Sequence, residues 1–196
     1  MKYVIGLSLG QTIETSGLAI GERSGDESVT CSIRHLERFA AGTSYPEIVD
    51  RLASLLAKDP MGGAEVLLAV DATAAARPIV DMFGALPVAR IIGVTVTGGD
   101  SEARDCAWAR VPKRILVSTV QMLLQTGRLK IAPALSDAAG LVSDLSGFSL
   151  KQPELLADSN AMLWRESSRD DLVFAVALSS WLAVGYSTWY RELICV

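Results

Sequence analysis

Apolar positions along the chain fall first into short runs and later into helical repeats, and this order predicts the architecture. Tyr3 to Leu9 is an apolar run closed by Gly10, which reads as a strand. Ser16 to Gly21 and Ser28 to Phe39 are the next two. In the latter, Val29, Cys31 and Ile33 alternate with polar neighbours, and Gly25-Asp26 supplies the turn between the two strands. Three consecutive strands with short connections predict an antiparallel meander. A helix follows, opened by the capping box of Ser44 and Glu47 with Pro46 in its first turn. Ile48, Leu52, Leu55 and Leu56 recur at helical spacing until Asp59-Pro60. Val66 to Val70 is an unbroken apolar run ending at Asp71, as expected of a strand buried on both faces. A short helix after Arg77-Pro78 and a strand from Ile91 to Val96 complete a β-α-β unit, which implies a parallel part of the sheet.

The last third is helical. Pro112 opens a helix that stops at Gly127, with Leu116, Val120, Leu123 and Leu124 along one side. Residues 136–147 form a weaker helix. Asp170-Asp171 opens the final strong one, since acidic side chains favour a helix N-terminus. The expected fold is therefore α/β, a mixed five-stranded sheet flanked by helices, in one domain spanning 1–196.

Composition changes this picture little. The chain is 50% hydrophobic and 20% charged, enough apolar residues for a substantial core and too few charges for a disordered tail. The longest apolar stretch, Leu172 to Tyr186, contains Ser179 and Ser180 and follows two aspartates, so it reads as a buried helix rather than a membrane span. Lys2 leads straight into a strand with no signal-peptide pattern, and a cytoplasmic location is expected. Cys31, Cys106 and Cys195 are far apart and His35 is the only histidine, so no zinc-ligand spacing occurs and the thiols should be reduced.

Charge distribution says more than the net −4. Residues 101–130 carry six basic side chains (Arg104, Arg110, Lys113, Arg114, Arg128, Lys130) against two acidic ones, whereas the flanking segments are each net −4. Such a segment is either a solvated face or a place where a phosphate backbone docks.

Three polar positions stand where apolar elements end: Ser8 in the first strand, Asp71 after the fourth, and Asp170/Asp171 before the last helix. Taken singly, such aspartates are turn or capping residues more often than ligands. In a meander followed by α-β-α-β, however, the first and fourth strands lie side by side, and a late helix can meet their ends. Convergent carboxylates suit Mg²⁺ or Mn²⁺, hard ions that prefer oxygen, and paired ions about 4 Å apart can cleave a phosphodiester.

The ordered set of motifs resembles the ribonuclease H-like nuclease domain of phage terminase large subunits. Tyr3-Val4-Ile5-Gly6-Leu7-Ser8-Leu9-Gly10-Gln11 looks like the opening strand of that family, which places Asp where Ser8 stands. Arg34-His35-Leu36-Glu37-Arg38-Phe39 and Gly42-Thr43-Ser44-Tyr45-Pro46-Glu47 are similar to its third strand and first helix. Asp71-Ala72-Thr73 with Arg77-Pro78 resembles the second acidic motif. Val111-Pro112-Lys113-Arg114, Leu124-Gln125-Thr126-Gly127-Arg128-Leu129, and Trp164-Arg165-Glu166 with Asp170-Asp171-Leu172-Val173 resemble the remainder.

The resemblance implies a divalent-metal DNA endonuclease with Asp71, Asp170 and Asp171 as metal-binding and catalytic residues. Lys113, Arg114 and Arg128 are then the implied DNA contacts, and double-stranded DNA and phage packaging proteins the implied partners. The chain departs from the family in three ways. It has no P-loop, so no ATP is expected. Ser8 replaces a carboxylate, and Glu14, beyond the turn, is not expected to stand in for it. Ala74 and Ala76 replace residues that are often glycine. The expectation is thus a nuclease weakened or inactivated at Ser8. The alternatives are a non-catalytic protein binding DNA or a phage protein, and, more weakly, an actin-like nucleotide binder using Gly10-Gln11-Thr12.

Overall fold

A computed structural model describes residues 1–10, 13–73, 77–105, 107–147 and 170–191. Gln11, Thr12, Ala74, Ala76, Cys106, Trp164 to Glu166 and Cys195 lie outside them. The strands are β1 (Lys2–Ser8), β2 (Ser16–Ser24), β3 (Thr30–Phe39), β4 (Glu65–Asp71), β5 (Arg90–Thr97), β6 (Ala103–Asp105), β7 (Trp108–Pro112) and β8 (Leu129–Ile131). The helices are α1 (Tyr45–Leu56), α2 (Arg77–Asp81), α3 (Lys113–Gln125), α4 (Ala138–Gly147) and α5 (Asp171–Arg191), and a single 3₁₀ turn (Met82–Ala85) follows α2.

All eight strands join one sheet in the order β6-β7-β5-β4-β1-β2-β3-β8. The meander β1-β2-β3 is antiparallel, and β1, β4, β5 and β7 run parallel. The expected five strands form the middle of this sheet. The three additional ones are short and lie at its edges, where few apolar residues are needed and the sequence pattern is faint. Two of them, β6 and β7, form an antiparallel pair inside the basic segment, with Ala103 opposite Arg110.

The sheet is covered on both sides. One face packs Tyr3, Ile5, Leu7, Leu18, Ile20, Leu68 and Val70 against α1, α2 and the 3₁₀ turn. The α1 cap is as expected: Ser44 and Glu47 form a reciprocal capping box. The opposite face packs Val4, Ala19, Cys31, Ile33, Leu36, Leu67, Ala69 and Val94 against α3, α4 and α5. Helix α5 is apolar almost all round because it is enclosed by the sheet, α3 and α4. By length and composition Asp171–Thr188 could cross a membrane, yet 78% of that window is buried within the protein, as a core helix should be.

What lets α5 lie so close is a floor of glycine. A Cβ on Gly6 would sit 2.0 Å from the Ala175 carbonyl oxygen, and one on Gly17 would sit 2.4 Å from that of Asp171. A Cβ on Gly21 would meet Cys31 and Ser179 side chains at 2.7 and 2.8 Å. The helix polar groups fit this track: Ser179 Oγ donates to the Val4 carbonyl at 3.1 Å, and Arg23 Nε donates to the Ala183 carbonyl at 3.0 Å. Burial pushes the Cys31 thiol up to about 11, so it stays protonated and acts as a small apolar residue.

Replacing Gly6 or Gly17 by Ala therefore forces α5 off the sheet, and each change should cost at least about 3 kcal/mol in urea unfolding. Gly84→Ala, where an added Cβ meets nothing within 4 Å, should change stability by less than about 0.5 kcal/mol.

Candidate active site

The parallel pairing of β1 with β4 places Ser8 directly beside Asp71. In the next strands Ser8 pairs with Gly17, and Gly17 pairs with Arg38. Paired residues share a face, so Asp71, Ser8, Gly17 and Arg38 form a row on the α5 side. The row runs along the edge where β1, β4, β5 and β7 end. Helix α5 begins over this row, its Asp171 backbone resting on Gly17. Ser8, Asp71 and the start of α5 thus meet at one end of the sheet, although they come from distant parts of the chain.

Their side chains are engaged differently. Asp71 is buried, and its Oδ1 accepts the Thr73 amide at 2.9 Å; Thr73 Oγ1 in turn accepts the Val96 amide at 2.8 Å. One carboxylate oxygen therefore closes the loop after β4, as an aspartate does in a turn. Asp170 is half-buried at the N-cap position of α5, and its carbonyl accepts the first helical bond from Phe174 N at 2.9 Å. Asp171 is buried, and both its carboxylate oxygens accept from Arg38 Nε, at 3.1 and 2.9 Å. Asp171 is thus committed to a protein cation.

Arg38 is the residue at this site that sequence reasoning passed over. Its guanidinium also pairs with Asp144 of α4, and its backbone amide donates to Asp137 Oδ2 at 3.1 Å. Burial works against its charge, but the bonds to Asp171 and Asp144 outweigh this and hold its pKa above the ordinary guanidinium value. The signal was hidden by a β-bulge. Ile20 and Gly21 of β2 pair with His35 and Ile33, so Arg34 is the extra residue in β3. The bulge turns Leu36 and Arg38 to the α5 face, whereas simple alternation from Cys31 and Ile33 would point Arg38 to the α1 face.

The basic residues divide between the two ends of the sheet. Lys113 opens α3 at the end that bears Ser8 and Asp71, with Nζ 5.2 Å from the centre of the Phe174 ring in the first turn of α5. Arg114 is exposed and pairs with Asp100 at 3.0 Å. Arg110 is exposed on β7, and Arg77 lies 5.0 Å over the Trp108 ring. Arg128 does not join them. It follows the far end of α3, roughly 20 Å along the helix. There its carbonyl accepts the Cys31 amide near the start of β3, and its side chain bonds Thr126.

Among the described residues the arrangement falls short of a two-metal centre. Ser8 supplies no charge, Asp71 has an oxygen in its own loop, and Asp171 faces a guanidinium. Among the described residues no three His, Cys, Asp or Glu side chains group closely enough to hold a metal ion.

Neither a family model nor a curated sequence matches the chain. Solved structures do. The large terminase nuclease from the thermophilic phage G20c superposes with a TM-score of 0.54 at 19% identity, over 90% of this chain and 80% of that one. The human cytomegalovirus terminase nuclease domain, studied after a manganese soak, gives 0.53 at 15% identity over 91% and 82%. The chain has the α/β, ribonuclease H-like fold of terminase nuclease domains.

The two aspartates of the last motif should separate in stability. Asp171→Asn should cost about 2–3 kcal/mol, because it weakens a buried charged pair. Asp170→Asn should cost less than about 0.5 kcal/mol, since Asn caps a helix as well as Asp. Thermal unfolding of the two variants beside the parent checks this.

Proposed function

We propose that the chain is a double-stranded DNA-binding protein of the terminase-nuclease type whose cleavage centre is reduced, so that hydrolysis in Mg²⁺ or Mn²⁺ is weak or absent. The observation that carries this reading is the pair Ser8–Asp71. It stands in register at the sheet end where the resemblance places two acids, and only one is acidic. The pairing of Asp171 with Arg38 supports it further. DNA would lie across the ends of β1, β4, β5 and β7. Lys113 and Arg114 would contact its phosphates, and Arg77 and Arg110 would extend the basic strip. The Arg114–Asp100 pair is exposed and offers little resistance to a phosphate. Arg128, at the other end of the sheet, takes no part. A phage packaging protein remains the class of protein partner the fold suggests.

The test of catalysis is nicking of supercoiled plasmid in Mg²⁺ and in Mn²⁺. The parent should nick weakly or not at all. Ser8→Asp places a second carboxylate one strand spacing, about 4.8 Å, from Asp71 and should bind Mn²⁺ more tightly in titration calorimetry. It should also be less stable than the parent without metal, because the two carboxylates raise each other's pKa. Efficient cutting by the parent that Asp71→Asn abolishes would show that another group completes the centre.

DNA binding is read separately, by fluorescence anisotropy across a salt series. Lys113→Ala should weaken binding uniformly across sequences and reduce the slope of log K against log salt by about 1. Arg128→Ala should leave both affinity and slope unchanged. Equal effects of the two variants would move the interface away from the Ser8–Asp71 end.

A further inference from the structure

The Arg38 cluster lies beside the candidate site. Asp171 and Asp144 have side chains only 5% and 6% exposed, and both face one guanidinium that is itself 25% exposed. The amide of the same residue holds Asp137, and Ser136 Oγ donates to the Leu36 carbonyl at 3.3 Å. Gly140 of α4 passes close by, its absent Cβ 3.6 Å from Arg38 Nη1. Three elements are therefore gathered at one side chain: β3 supplies the cation, α4 one carboxylate, and α5 the other. Buried carboxylates converging from separate helices require a counter-ion, because like charges in a poorly hydrated place repel strongly. A bound dication could meet that requirement, but here a planar guanidinium, whose fork matches carboxylates, already does so.

We propose that Arg38 is the resident cation of this end of the molecule. It does with a side chain what a bound metal ion would do, fastening α4 and the start of α5 to the sheet without any metal. The inference rests on the cluster geometry and not on DNA binding, so the two can fail separately. It also means that the fold needs no divalent ion. The carboxylates of Asp144 and Asp171 become open to a cation only when the guanidinium is removed.

The experiment is thermal unfolding of the full chain in EDTA and in millimolar Mn²⁺. The parent should melt at the same temperature in both. Arg38→Gln should melt about 10 °C lower in EDTA, and Mn²⁺ should recover part of that loss. Adding Asp144→Asn and Asp171→Asn to Arg38→Gln should raise the melting temperature in EDTA and abolish the response to Mn²⁺, because the unpaired charges are gone. Arg38→Lys keeps the charge but loses the fork, and should melt between the parent and Arg38→Gln; it serves as the working variant if Arg38→Gln does not fold. Three results would overturn the proposal: parental stabilisation by Mn²⁺ that Asp171→Asn removes, Arg38→Gln melting like the parent, or a lowered Arg38→Gln that neither Mn²⁺ nor the added neutral substitutions improve. DNA affinity measured on the same samples reports on the binding reading independently.

Discussion

The close contact of α5 with the sheet is the constraint on which the rest of the molecule depends. A helix normally stands off a sheet by the thickness of two layers of side chains. Here Gly6, Gly17 and Gly21 remove one of those layers: carbonyl oxygens of α5 occupy the space over Gly6 and Gly17, and the Cys31 and Ser179 side chains the space over Gly21. The consequence for the site is direct. Because Gly17 lies between Ser8 and Arg38 in the cross-strand row, the first turn of α5 comes down between them. Any residue with a Cβ at Gly17 would lift that turn, separating Asp170 and Asp171 from the strand ends.

Much of this was legible in the chain itself. The meander, the α1 cap and the buried strand β4 each follow from local patterns that tertiary packing reinforces, and the adjacency of β1 and β4 follows from their order. The edge strands β6, β7 and β8 were not legible. Three- and five-residue strands leave too short a period to distinguish from loop.

The site was only half legible, for a different reason. Ser8 and Asp71 could be placed because unbroken strands carry them to a predictable end. Arg38 could not, since one inserted residue at Arg34 exchanges the two faces of the sheet for every residue of β3 after it. The choice between Asp170 and Asp171 likewise depended on a partner more than a hundred residues away in sequence.

The place of α5 in the chain also bears on how the protein is made. Strands β1 to β5 are complete by Thr97, but their α5-facing surface receives that helix only after Tyr186 has been synthesised. While the ribosome adds the intervening residues, Val4, Ala19, Leu67 and Ala69 have no permanent cover, and an uncovered apolar sheet is a template for association between chains. The nascent protein thus passes through an interval in which a broad apolar surface is open, and a chaperone that holds it there would act on the face α5 later seals.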